Sequence, residues 1–196
     1  DRVVLNLKVV KIPVTLGQDG YGWMQQIEPS FGPQHPAETL AAVLGLELAA
    51  IDERFPIEEV STGLPFFIVP LKTLAGLQAA RINRERYEAL IEHTAAKGIA
   101  IFCPETHAPG QDLSVRVFVD YYGVPEDPAT GSANGCLAGY LVKHRYAGSD
   151  RVDLRVEQGH EIGRPSLLLI RAGQTNTGLS VAVGGKSLTV AQGEFV

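Results

Sequence analysis

Gly123-Val124-Pro125-Glu126-Asp127-Pro128-Ala129-Thr130-Gly131-Ser132-Ala133-Asn134-Gly135-Cys136-Leu137 is the stretch around which the rest of the sequence is arranged. It joins a rigid turn to a helix start and gathers polar groups at the junction. Asp127 suits an N-cap and Pro128 the first helical position, whereas Gly131 and Gly135 loosen the turns that follow. The regular helix therefore starts either directly after Asp127 or a turn later, near Ser132. From 133 to 145, Leu137, Tyr140, Leu141 and His144 recur at helical spacing, with small Ala138 and Gly139 between them, which predicts a central, mostly buried helix. Lys143, His144 and Arg145 put positive charge at its carbonyl end. The other end, with Thr130, Gly131 and Ser132, offers backbone N–H groups, a hydroxyl and little bulk, which suits a carboxylate or phosphate. A helix dipole contributes about 0.3–1 kcal/mol there and a hydrogen bond to a charged group about 1.5–3 kcal/mol, so directed donors would supply most of the hold. On local pattern alone, Asp127 and Ser132 also read as plain helix caps.

Composition narrows the setting. The 196 residues suffice for one good core or two small ones. The net charge of −5, without a basic block or aromatic–basic interleaving, argues against nucleic acid and against an anionic membrane surface as partners. At 45% apolar residues with no long apolar run, the sequence reads as a globular chain in the cytoplasm, without a signal peptide or membrane span. Cys103 and Cys136 have neither CxxC spacing nor a disulfide framework and read as core residues. His35, His93, His107, His144 and His160 form no HxH or HxxxH pair, and no metal is expected.

Working outward, 113–119 alternates as a strand, with Val115, Val117 and Val119 on one face and Arg116 and Phe118 on the other, and it delivers the chain to the Asp127 loop. Upstream, 2–16 and 21–28 read as a hairpin around the turn at 17–20. Pro33 and Pro36 bound a breaker, before a helix over 37–48. Strands are expected at 57–61, 64–71 and 99–103, a short helical connection at 74–78, and a helix over 84–97 capped by Asn83 and stopped by Gly98. The loop 104–110 is expected to be exposed, with His107 mobile. Downstream, strands at 152–157, 166–171, 178–183 and 187–190 form a Gly-punctuated antiparallel series. Strands surrounding one helix make this an α+β architecture. Asp1 opens at the edge of a strand without an initiator methionine, which suggests a piece of a longer chain.

The run Glu126-Asp127-Pro128-Ala129-Thr130-Gly131-Ser132-Ala133, with Glu157-Gln158-Gly159 and Gly163-Arg164-Pro165-Ser166 after it, resembles the signature of the PhzF-like isomerases of phenazine biosynthesis. Val115-Arg116-Val117-Phe118 and Ser61-Thr62-Gly63-Leu64-Pro65 resemble it as well. The resemblance implies a diaminopimelate-epimerase-like fold: two pseudo-symmetric domains, each a curved, mostly antiparallel sheet around a central helix. On that match, 50–184 is the second domain, 1–49 is the remainder of an incomplete first domain, and 185–196 is a final strand returning to it. It also implies a cofactor-independent isomerase that moves protons on a small carboxylic acid, and a homodimer is expected from the apolar strand edges.

By resemblance, Asp127 and Ser132 are the catalytic positions, while Thr130, Gly131 and Ser132 hold the substrate carboxylate. The family's principal acid/base, a glutamate in the N-terminal part, and its Gly-His motif have no counterpart here: Glu28, Glu38, Glu47, Glu53, Glu58 and Glu59 all lie in other contexts. An N-terminal segment or a second chain would complete the site. Arg164 is expected to be buried and to lock the Asp127 loop, and Gln158 also matches a family position. Two other readings stand beside this one: a non-catalytic anion-binding or assembly module, and a cysteine-type epimerase. The second is opposed by Ala129-Thr130-Gly131-Ser132, which lacks a cysteine at the helix start and leaves Cys136 facing the core.

Overall fold

Residues 2–6, 11–17, 20–186 and 191–194 are described by the computed structural model. The strand expected at 187–190 lies outside them. Within the described residues, strands are β1 (Arg2–Asn6), β2 (Lys11–Leu16), β3 (Tyr21–Gln25), β4 (Ser30–His35), β5 (Ile57–Ser61), β6 (Pro65–Pro70), β7 (Gly98–Cys103), β8 (Leu113–Val119), β9 (Val124–Asp127), β10 (Arg151–Gln158), β11 (Ser166–Thr175) and β12 (Gly178–Lys186). The helices are α1 (Ala37–Leu44), α2 (Leu74–Ala79), α3 (Arg84–Glu92) and α4 (Gly131–Lys143). One sheet runs in the order β1-β2-β3-β12-β11-β10-β8-β7-β6-β5-β4, with β9 paired to β8 beside that path. The pairs β10/β8 and β6/β7 are parallel, and the other described pairs are antiparallel. This is the α+β, curved mixed sheet around a central helix that the resemblance implies.

The sheet curls so that α4 touches β5 and β6 on one side and β10, β11 and β12 on the other. Its residues 133–142 are all buried. Gly135 and Gly139, four apart and so on one helix face, make this possible: a Cβ at Gly139 would stand 2.7 Å from Pro29 Cγ, and one at Gly135 3.0 Å from Gln26 Cγ. The segment after β3 therefore crosses close over the helix. Alternation along β8 feeds two cores at once: Val115, Val117 and Val119 join Leu137, Tyr140 and Leu141 on the α4 side, while Phe118 joins Leu40, Leu44, Leu77 and Tyr87 on the opposite face, under α1, α2 and α3.

Several boundaries differ from the sequence expectation. Pro33 does not break the chain: it lies inside β4 (Ser30–His35), an outer strand whose register shifts between Phe31 and Gln34, the setting in which a sheet accommodates proline, while Pro36 does stand at the boundary, as the N-cap of α1. Helix α1 ends at Leu44, because Gly45 turns left-handed (φ 64°). Helix α3 ends at Glu92 rather than 97, where the Thr94 hydroxyl lies within reach of the Leu90 and Ala96 carbonyls and the Lys97 ammonium donates to those of Ile91 and Thr94. Gly98 opens β7 instead of capping that helix. The region of 123–130 contributes a strand, β9, which the sequence did not signal.

Candidate functional site

Helix α4 begins at Gly131 with Thr130 in the N-cap position. Asp127 is therefore not the cap: it ends β9, three residues upstream. Its carboxylate Oδ2 accepts from the Thr130 hydroxyl at 2.5 Å. Asn134 N to the Thr130 carbonyl, 3.1 Å, is the first intrahelical bond. The amides of Gly131, Ser132 and Ala133 thus have no acceptor within the helix, as the first turn of any helix requires. Gly131 has nothing within 4 Å of where a Cβ would stand, so the space above the helix start is open.

That open space belongs to a cleft of about 620 Å³. Ala129 and Gly131 line it on one side, Leu16, Met24 and Val183 on the other, with Tyr21, Gln26, Ser166 and Lys186 among its polar positions. Of the expected site residues, Gly131 lines this cleft; Thr130 is buried directly behind it, and Ser132 is half-buried one residue further along the helix. Asp127 is half-buried beside them.

Two buried residues at the end of β10 support this wall. Gln158 is 1% exposed. Its Oε1 accepts from Thr130 N at 3.3 Å and from Asn134 Nδ2 at 2.9 Å. Its Nε2 donates to the Asp127 carbonyl at 2.6 Å and to Thr130 Oγ1 at 3.0 Å. Gln158, not Arg164, locks the Asp127 loop: Arg164 is exposed. The buried arginine is Arg116, whose Nε and Nη2 grip both oxygens of Glu126 at 3.0 and 2.8 Å. Its Nη1 donates to the carbonyls of Leu77 and Ala80 at 2.9 Å each. Such a two-pronged grip suits the planar guanidinium fork. It pins β9 to β8 immediately before Asp127.

Glu157 points the other way from Gln158, as strand alternation demands. Its Oε1 accepts from Ser114 Oγ at 2.6 Å and from the His107 amide at 2.5 Å, and lies 2.7 Å from His107 Nδ1. Burial works to raise this carboxyl, but the donors of Ser114, His107 and Ala108 outweigh it and hold it below the usual carboxylate range. His107, expected to be mobile on an exposed loop, is instead tied to Glu157, and its ring stacks on His160 at 4.1 Å, parallel within 3°. No spacing rule could have paired residues 50 positions apart. Among the described residues, His107, Glu157 and His160 are the group able to hold a metal ion, with ligand atoms within 4.8 Å of one another. Parallel rings aim their in-plane lone pairs side by side rather than at one point, and Glu157 is already satisfied by protein donors, so the cluster reads as a brace for the loop.

The cysteines take no part. Burial pushes the Cys136 thiol up to about 11 and the Cys103 thiol to about 12, so neither suits a base.

Comparisons with known proteins point the same way. The model of the family described as phenazine biosynthesis-like protein (PhzC-PhzF) matches residues 1–193. The trans-2,3-dihydro-3-hydroxyanthranilate isomerase of Pseudomonas aeruginosa is 35% identical over 98% of this chain, which spans 66% of that enzyme. An uncharacterized isomerase of Bacillus subtilis is 33% identical over 84% of the chain and is spanned to 56% of its length. Among solved structures, the Bacillus anthracis phenazine biosynthesis protein of the PhzF family superposes with a TM-score of 0.83 at 26% identity, covering 94% of this chain and 65% of that one. A predicted epimerase from Pseudomonas aeruginosa does so at 0.74 and 29% identity, covering 95% and 63%. The chain therefore spans between just over half and about two thirds of the relatives it matches.

Proposed function

The chain belongs to the phenazine biosynthesis-like protein family, and from that premise we propose that it forms the carboxylate-holding part of a cofactor-independent isomerase. The observation that carries this is the helix start at Gly131: three amides without an intrahelical acceptor, open space above them, and the Asp127 carboxylate fixed alongside. The amides of Gly131 and Ser132, with the Ser132 hydroxyl, receive the substrate carboxylate; Asp127 and Ser132 contact the reacting part of the molecule. A second group returns the proton at another carbon, and general acid–base steps of this kind are worth about 10²–10⁴ each. That group is supplied by a preceding segment of the same protein or by a partner chain, and a homodimer is part of the same proposal. So is a division in which a first domain, including β1–β3, faces a second built around α4.

The relative's name supplies the first substrate to try. Incubating the protein, together with any natural N-terminal segment, with trans-2,3-dihydro-3-hydroxyanthranilate in D2O is expected to give isomerised product carrying deuterium, read by proton NMR. Binding of simple carboxylates at Gly131 without deuterium uptake by any small unsaturated acid would instead favour the anion-binding module.

A further inference from the structure

The orientation of the Gln158 amide is fixed by backbone groups and needs no assumption about its flip. Thr130 N–H can only donate, so it faces Oε1; the Asp127 carbonyl can only accept, so it faces Nε2. Once set, Nε2 donates its second hydrogen to Thr130 Oγ1 at 3.0 Å. Thr130 owns one hydroxyl hydrogen, and the remaining partner within reach is Asp127 Oδ2, at 2.5 Å. The chain of donors therefore runs one way: Gln158 to Thr130 to Asp127. Asn134, fully buried, reinforces the amide by donating to both Oε1 and the Thr130 carbonyl at 2.9 and 3.0 Å, while its own Oδ1 accepts from nothing among the described residues. That unpaired oxygen is a cost borne by the fold.

We propose that Gln158 is a positioning residue for the candidate site: by fixing the direction of the Thr130 hydroxyl, it makes Asp127 Oδ2 a committed hydrogen-bond acceptor and leaves Oδ1 for the substrate. The proposal rests on the reading that Asp127 contacts substrate. It acts through a hydrogen-bond direction rather than through bulk, and that separates it from a purely structural role.

Gln158→Glu keeps size and shape but removes both donors, so the Thr130 hydroxyl is expected to turn towards position 158 and abandon Asp127. Thr130→Val removes the hydroxyl at equal volume, and Thr130→Ser retains it. The first readout needs no turnover: the ¹³Cγ resonance of Asp127 is expected to move in Gln158→Glu and in Thr130→Val, and to stay within a few tenths of a ppm of wild type in Thr130→Ser. An unmoved resonance in Gln158→Glu, with the variant shown folded by its amide spectrum, overturns the proposal. The second readout is kinetic, on the complete protein with whichever substrate it turns over. Each disrupting variant should lower kcat roughly tenfold or more with KM within about threefold, and the double variant should be no slower than the worse single one, because the two sites act in series. Multiplicative losses, or variants that lose melting temperature but keep kcat, would also overturn it. If no substrate is turned over, the NMR result still decides for or against the hydrogen-bond chain, so its failure and that of the isomerase reading can be told apart.

Discussion

The two walls of the cleft are made in different ways. The α4 wall is braced from behind by buried polar side chains: Gln158 holds Asp127 and Thr130, and Arg116 holds Glu126. The opposite wall is lined by β2, β3 and β12, and the ribbon continues outward to β1, which leaves Val3 and Val4 about half exposed at 48% and 49%. Directed donors need preorganisation, and preorganisation needs burial on every side but one. The braced wall meets that condition within this chain; the ribbon shows apolar surface of the kind that another element covers.

The largest effect expected from breaking the braced wall comes from Arg116→Met. It strands Glu126, whose side chain is 7% exposed, without its partner, and removal of one member of a buried pair costs about 3–5 kcal/mol. Urea unfolding would measure it, and a loss under about 1 kcal/mol would mean that β9 is held chiefly by other contacts. Next comes Gly159→Ala. Gly159 is left-handed at φ 84°, and a Cβ there would lie 2.4 Å from the Arg164 carbonyl oxygen and 3.0 Å from that of Pro128. A left-handed non-glycine residue costs about 1–2 kcal/mol before any clash is counted, so a loss on the order of 2 kcal/mol or more is expected, with faster amide exchange at residues 129–131. Unchanged exchange there would separate the turn at Gly159 from the site loop it touches.

Much of this contrast was written locally in the sequence, and some of it was not. Helix α4 and strand β8 were legible because each packs by its own period, 3.6 for Leu137, Tyr140 and Leu141 and 2 for Val115, Val117 and Val119. The helix start was legible only to within a turn, since Asp127 suits a cap while the loose turns at Gly131 and Gly135 also allow a start near Ser132, and the choice is made by β9 pairing with β8, a tertiary event. The bracing residues were the least legible. Gln158 and Arg164 stand in neighbouring matched runs, yet Gln158 is buried because it closes β10 against the start of α4, whereas Arg164 falls in the exposed turn between β10 and β11. His107 and Glu157 meet only because β8 and β10 pair in parallel, which brings the chain before β8 beside the end of β10.

A smaller effect sharpens the picture from the far side of β10. The Glu157 carboxyl is held below its ordinary value when folded, so its contribution is present above the unfolded carboxylate range and fades as pH falls through the lowered value. Acidification below about pH 4 is therefore expected to loosen residues 104–110 before the core, seen as faster exchange at the His107 and Ala108 amides. Ser114→Ala removes one donor to this charged group, costs about 1.5 kcal/mol near neutral pH, and moves the onset of loosening to higher pH. An acid response confined to the α4 side, with this loop unaffected, would contradict the brace.

The smallest effect is expected on the ribbon, and it is the one that tests whether the contrast between the walls holds in solution. Val4 lies in the outermost described strand, paired to Pro13 of β2 on one side. Val4→Lys adds charge to an exposed apolar edge, and a substitution at such a surface changes stability by no more than about 0.5 kcal/mol when nothing covers it. Thermal melting measures that term, and sedimentation velocity measures the other consequence, because a lysine on a strand edge opposes edge-to-edge association. A stable monomer before and after the substitution would leave the ribbon an exposed surface on this chain. A drop in melting temperature of several degrees, accompanied by loss of a larger species, would show that Val4 is covered in solution. The second wall of the cleft would then be completed by another copy or segment, while the first stands on its own buried donors.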